Sequence, residues 1–154
     1  MNCVFAGDID AEARRAYQQN FHIVPAGDIT EIDPGSVPDH EILLAGFPCQ
    51  PPSIIGDMRG FDDSRGNLIF DVAAIIDAKR PSAFVLENVR QLLTHNIGRT
   101  IEAIISALNG LGYRADWSVL NALDFGLPQK RERTIIVGFE DHSIPYEWPD
   151  PNGE

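Results

Sequence analysis

Three stretches of this chain carry side chains that could do chemistry together. The first is Gly46-Phe47-Pro48-Cys49-Gln50-Pro51-Pro52-Ser53, where one cysteine is held among prolines. The second is Glu87-Asn88, directly after the apolar run Ala83-Phe84-Val85-Leu86. The third is Gln129-Lys130-Arg131-Glu132-Arg133. A thiolate is a nucleophile, and neighbouring arginine charge lowers the pKa that governs its formation. A carboxyl group whose pKa is raised by burial can donate or accept a proton. Guanidinium groups neutralise developing negative charge or grip a phosphate. Taken singly, each stretch also has a plainer reading. Cys49 could be a small buried hydrophobe, Glu87 a solvated strand-end acid, and the basic run a solvated turn.

Elements must bring these groups to one place. Val4 to Gly7 reads as the end of a short strand tipped by Asp8. Asp10 is placed to cap a helix from Ala11 to about Asn20, with Ala13, Ala16, Tyr17 and Phe21 on one face. Asp28 follows a glycine near a short extended segment. Turn residues Asp33-Pro34-Gly35-Ser36 then lead to an apolar strand ending at Gly46. Residues 48–66 show little periodicity and read as a long functional loop. Leu68, Val72, Ile75 and Ile76 predict a helix stopped by Pro81, and residues 83–86 a strand. Ile101, Ile104, Ile105 and Leu108 predict a second amphipathic helix, ended by Gly110 and Gly112. Strands are expected over Tyr113–Leu120 and Thr134–Phe139, with a loop over 124–133 between them. Alternating strands and helices predict an α/β fold, a doubly wound and mostly parallel sheet. In such a sheet, chemistry collects beyond the carboxyl ends of the strands. The expected domain spans 1–140, with an irregular tail over 141–154.

Composition narrows the class. The 154 residues are 44% hydrophobic, enough for one substantial core. No apolar run approaches the roughly 18 residues of a membrane span. The start shows no basic segment followed by an apolar one, so a cytoplasmic location is expected. Cys3 and Cys49 are too few for a disulfide framework, and His22, His40, His95 and His142 are scattered, so no metal is expected. The net charge of −11 repels polyanions, but Lys130, Arg131 and Arg133 concentrate positive charge within four positions.

In that order and spacing, residues 46–53, Glu87-Asn88-Val89 and residues 129–133 resemble three signature motifs of the DNA cytosine-5 methyltransferases. Asp63-Ser64-Arg65-Gly66-Asn67-Leu68 and Leu120-Asn121-Ala122-Leu123-Asp124-Phe125-Gly126 match the same family between those motifs, and the likeness covers roughly residues 2–140. The resemblance implies a Rossmann-like fold of the class that uses S-adenosylmethionine, acting on double-stranded DNA from which the target cytosine is flipped out. By resemblance, Cys49 adds to carbon 6 of the ring, and carbon 5 then takes the methyl group. Glu87 contacts ring N3 and the exocyclic amine. Arg131 and Arg133 support the base and the catalytic loop, one of them near the cytosine carbonyl oxygen. Gln50 and Ser53 belong to a loop that closes over the base, and Asn88 and Gln129 join the substrate side. Asp8 matches the acid that binds ribose hydroxyls, Ile9 the residue packed on adenine, and Asp28 the acid near the adenine amine, beside Ile29. Leu68 matches a residue lining the same cofactor pocket. DNA methylation within a restriction–modification system is the implied role.

The chain also departs from that family. It begins after the glycine-rich turn Phe-Ala-Gly-x-Gly-Gly, lacks a target-recognition region, and has Pro52 where the family usually has Phe. A second proline fixes φ and removes a backbone donor. The expectation is therefore an incomplete catalytic domain, inactive alone. The alternative is a non-catalytic remnant or the partner-binding subunit of a split enzyme, paired with a complementary methyltransferase subunit. A tRNA-acting relative ranks below these, because no Cys-Phe-Thr follows Glu87-Asn88-Val89. A thiol hydrolase ranks lower still, because no histidine shares a motif with Cys49.

Overall fold

Apolar residues recurring every second position build the sheet on which the candidate residues sit. The computed structural model describes residues 2–48 and 68–151. These form two compact units, one of residues 42–48 and 82–151, the other of residues 2–41 and 68–81.

The first unit is a four-stranded sheet with β1 (Ile42–Gly46), β2 (Ala83–Val89), β3 (Arg114–Asn121) and β4 (Glu132–Phe139) in the order β1-β2-β4-β3. β1 and β2 are parallel, whereas β4 runs antiparallel to both β2 and β3. The sheet is therefore mixed within a Rossmann-like α/β fold. Parallel neighbours need a long crossover, and the chain between β1 and β2 supplies one. The short link between β3 and β4 can only reverse direction.

Phe84, Leu86 and Asn88 of β2 are buried on one face, opposite Gly138, Ile136 and Thr134 of β4. Tyr113 tilts against Phe84 with ring centroids 5.1 Å apart. Helix α3 (Arg99–Gly110) packs on β3 and buries Ile101, Ile104 and Leu108 as its spacing predicts, together with Thr100, while Ile105 is only half-buried. β2 extends past the expected 83–86 because Glu87, Asn88 and Val89 find partners in Ile135, Thr134 and Arg133. Glu87 thus lies inside a strand rather than beyond one.

The second unit contains α1 (Ala11–Phe21) and α2 (Leu68–Lys79). Asp10 caps α1 as expected, its Oδ1 accepting from the Glu12 and Ala13 amides at 2.7 and 3.0 Å. Helix α2 buries Ile69, Val72, Ala73, Ile75 and Ile76 and packs on the 3₁₀ turns Ile29–Glu31 and Pro34–Ser36. The strand expected over Val4–Gly7 is reduced to one parallel bridge between Gly7 and Ala26. Two hydrogen bonds make it, Asp8 N to Ala26 O at 3.1 Å and Ala26 N to Ala6 O at 2.8 Å. One bridge leaves the residues before it without a ladder, and Val4 is half exposed.

Candidate functional site

The described candidates are divided between the two units, and Glu87 and Arg133 are the two of them in direct contact. In the sheet unit, Glu87 and Arg133 share the face opposite the core. They are diagonal neighbours across β2 and β4, a separation that long side chains span. Their ion pair measures 2.6 Å from Arg133 Nε to Glu87 Oε1. The Nε–H is not aimed at an acceptor, so the contact is one of charge more than an aligned hydrogen bond. Arg133 also donates through Nη1 to the Glu132 carbonyl at 2.9 Å.

The second carboxylate oxygen of Glu87 faces Gly46. A Cβ at that glycine would stand 3.5 Å from Oε2, so its absence leaves room above the acid. The Glu87 side chain is 41% exposed against 23% for Arg133. The acid is therefore held from one side and open on the other. Such a group can meet a polar ligand with a hydrogen-bonding edge.

Asn88 sits on the buried face, 1% exposed. Its Nδ2 donates to the Phe47 carbonyl at 3.0 Å and its Oδ1 accepts from the Val89 amide at 2.8 Å. The Phe47 amide donates to the Glu87 carbonyl at 3.3 Å. Together these bonds fix the chain leaving β1, two residues before Cys49. The amide of Asn88 is engaged within the chain. Cys49, Gln50 and Ser53 lie outside the described residues.

Gln129 and Arg131 stand in the loop between β3 and β4, both exposed. The Arg131 amide donates to Asn121 Oδ1 at 3.0 Å, and its carbonyl accepts from the Ala122 amide at 3.0 Å. The Arg131 side chain makes no ion pair among the described residues. Arg90, just past β2, pairs with Glu132 at 2.8 Å and ties the two strand ends together. Arg90 is missed by sequence reading, and Asn121 enters it only as part of the matching stretch 120–126, without a role. Asn121 has a local signal, a side-chain acceptor at the start of a turn. Arg90 has none.

In the second unit, Asp8 lines a cleft of about 290 Å³ with Ala6, Gly7, Arg14, Tyr17 and Pro25. Asp8 Oδ1 accepts from the Asp10 amide at 2.8 Å. Arg14, not expected from sequence, donates through Nη1 to the Asp8 and Ile9 carbonyls at 2.6 and 2.8 Å, pinning this turn to α1. Ile9 is 73% exposed. Asp28 caps the turn Ile29–Glu31, its Oδ1 accepting from the amide and hydroxyl of Thr30, each at 2.9 Å. Asp28 and Ile29 are half-buried, as is Leu68 at the start of α2. One turn on, Asp71 is a further carboxylate that sequence reading passed over. Burial first, and then the negative charge of Asp28, raise its pKa above the usual aspartate value. A lone acid among Leu68, Ile69, Val72 and Ala73 was its signal. Among the described residues, no group of three or more His, Cys, Asp or Glu side chains could hold a metal ion, and no helix is long and apolar enough to cross a membrane.

The family model described as C-5 cytosine-specific DNA methylase matches residues 1–153. The chain is 55% identical over 148 residues to the Type II methyltransferase M.NgoBI of Neisseria gonorrhoeae, covering 96% of this chain and 46% of the relative. It is 54% identical over 151 residues to the Type II methyltransferase M.HaeII of Haemophilus aegyptius, covering 98% and 47%. The chain thus spans about half the length of the curated relatives it matches. Among solved structures, Spodoptera frugiperda DNMT2 superposes with a TM-score of 0.70 at 21% identity, covering 97% of this chain and 46% of that one. That likeness is one of fold.

Proposed function

This chain belongs to the C-5 cytosine-specific DNA methylase family, and on that premise we propose that the protein methylates carbon 5 of a cytosine in double-stranded DNA. The observation that carries this reading is the Glu87 carboxylate, braced by Arg133 at 2.6 Å and left open toward Gly46. A cytosine turned out of the helix presents N3 and its exocyclic amine along one edge, the edge such a carboxylate can meet. Cys49, as thiolate, bonds to carbon 6, and the electron pair displaced toward carbon 5 and the N3 side makes carbon 5 nucleophilic. Glu87 steadies the charge that develops on the ring. Arg133 keeps Glu87 in place, and Arg131 supports the base from the adjoining loop. Carbon 5 would take the methyl group, its proton would pass to solvent, and the freed C–H pair would restore the 5,6 double bond as the bond to carbon 6 breaks and returns its electrons to the Cys49 thiolate. Gln50 and Ser53 act in closing over the base, with Gln129 on the substrate side, while Asn88 positions the segment that leads into Cys49.

S-adenosylmethionine, when bound, supplies the electrophilic methyl carbon. The second unit fits its adenosyl part. A ribose diol and an adenine amine are hydrogen-bond donors, and Asp8 and Asp28 are acceptors when ionised. In each, only Oδ1 is engaged among the described residues. Exposed Ile9, with Ile29 and Leu68, offers apolar surface for the adenine ring. The names of the relatives, Type II methyltransferases, support a place in restriction and modification.

A second reading concerns assembly. β1 is an edge of the described sheet, and its apolar Ile42 and Leu44 are 41% and 67% exposed. An apolar edge of this kind invites another strand. In that reading a complementary methyltransferase subunit completes the enzyme.

Transfer of a tritiated methyl group to mixed-sequence DNA tests both. It is measured with the chain alone and co-expressed with a chain carrying the glycine-rich turn and recognition region. Transfer is expected from the co-expressed pair, and Glu87→Gln should lower it by about 100-fold or more, the scale of a lost acid–base or charge-stabilising group. Transfer seen only in the pair supports the assembled enzyme. An undiminished rate in Glu87→Gln would remove the role given to that acid.

A further inference from the structure

Arg14 sits where a helix disfavours a cation. It is the fourth residue of α1, close to the end whose unpaired amides carry partial positive charge. It does not serve a core, because α1 buries none of its residues. Glu12, the acid of the first turn, does not neutralise it either, being paired with Arg15. The Arg14 guanidinium instead turns back on the chain entering the helix. Nη1 donates to the Asp8 and Ile9 carbonyls at 2.6 and 2.8 Å. Asp8 lines the same cleft as Arg14, yet no ion pair joins the two among the described residues. The cation is spent on carbonyls, and the carboxylate stays available, with Oδ1 accepting from the Asp10 amide at 2.8 Å.

A residue set against its local preference marks a place where something else is gained. Peptide units are planar, so fixing two successive carbonyls fixes the two torsions of Ile9 between them. That in turn fixes the direction in which the turn offers the Asp8 carboxylate. We propose that Arg14 is a positioning residue for the adenosyl end of the cofactor. It holds the turn so that Asp8 meets the ribose hydroxyls, and it thereby sets the preference for a ribonucleoside. A turn held in advance spares the ligand the cost of ordering it. The proposal rests on the cofactor reading above and adds to it a residue outside the ligand's reach.

The test is calorimetric titration of the full protein, alone and as the co-expressed pair, with two ligands. One is S-adenosylhomocysteine; the other is its analogue lacking both ribose hydroxyls. The parent is expected to prefer the first by about tenfold or more, the scale of a hydrogen bond to a charged group. Arg14→Met keeps the stem and loses the donors, and should bring the two Kd values together. Arg14→Lys keeps the cation on a side chain one bond shorter, and should give a ratio between those of the parent and Arg14→Met. Melting curves of the ligand-free variants show which of them fold. If a folded variant keeps the parent's ratio, even with both ligands weakened, Arg14 serves the helix alone and the proposal is overturned. If the parent binds both ligands alike, Asp8 does not read the ribose, and the proposal falls while cofactor binding stands. If the parent binds neither ligand, alone or in the pair, the cofactor reading fails and takes the proposal with it.

Discussion

Asn88 shows how one buried amide serves a site it does not enter. Its two polar atoms answer the Phe47 carbonyl and the Val89 amide, at 3.0 and 2.8 Å. Asn88→Ala leaves that carbonyl and that amide without their partner, and an unsatisfied buried group costs about 1–3 kcal/mol. A urea titration should show the midpoint falling accordingly, with little change in slope. The same substitution frees the segment leading to Cys49. A loss of methyl transfer larger than the fraction unfolded is therefore expected. Glu87, one residue earlier and on the other face, contrasts with it. Its environment is half open, so its replacement should lower activity with a smaller effect on stability.

At the scale of elements, β2 and β4 depend on a glycine for fit. Gly138 lies opposite Phe84, and a Cβ there would meet the Phe84 ring at 2.1 Å. Phe84 is wholly buried against Tyr113 and cannot swing away. Gly138→Ala should destabilise the sheet unit by about 1–3 kcal/mol, the usual cost of an overfilled core. Thermal unfolding followed by circular dichroism would read it. An unchanged melting temperature would mean that Phe84 has another place to go.

Elements governed by local rules were legible in the sequence. Asp10 and the helix after it, the helix from Leu68 halted before Pro81, and the helix carrying Ile101, Ile104 and Leu108 all lie where capping and a 3.6-residue period put them. What failed was decided by distant partners. The extension of β2 through Glu87-Asn88-Val89 depends on β4, some 45 residues on. The strand expected at Val4–Gly7 found a single bridge at Ala26. The tail shows no helix or strand over 141–151, but it is far from loose. Arg114 donates to the carbonyls of His142 and Ile144, and Trp148 Nε1 donates to Asp116 at 3.1 Å. Asp141 closes a local turn onto Ser143, whose hydroxyl and amide hold its carboxyl below the usual aspartate pKa. The site divides in the same way. Glu87 and Arg133 were readable from their motifs, but their mutual distance was not. Arg14 and Arg90 act through backbone and ion-pair contacts that no spacing announces.

For the whole molecule, charge and coverage set the terms. A chain of net charge −11 meets DNA only where positive side chains face outward. Here Lys130 and Arg131 do so, while Arg133 and Arg90 are engaged with Glu87 and Glu132. The chain spans about half of its curated relatives, and its apolar β1 edge gives a physical reason to test it both alone and with a complement. The most direct measurement uses a mixed-sequence duplex in which 5-fluorocytosine replaces cytosine, incubated with S-adenosylmethionine. Fluorine at carbon 5 cannot leave as a proton, so a methylated adduct stays bonded to its nucleophile. A denaturant-resistant protein–DNA species should form, require S-adenosylmethionine, and vanish in Cys49→Ser. The account is contradicted if Cys49→Ser is trapped as well as the parent, or if neither the chain nor its pair with the complement is trapped.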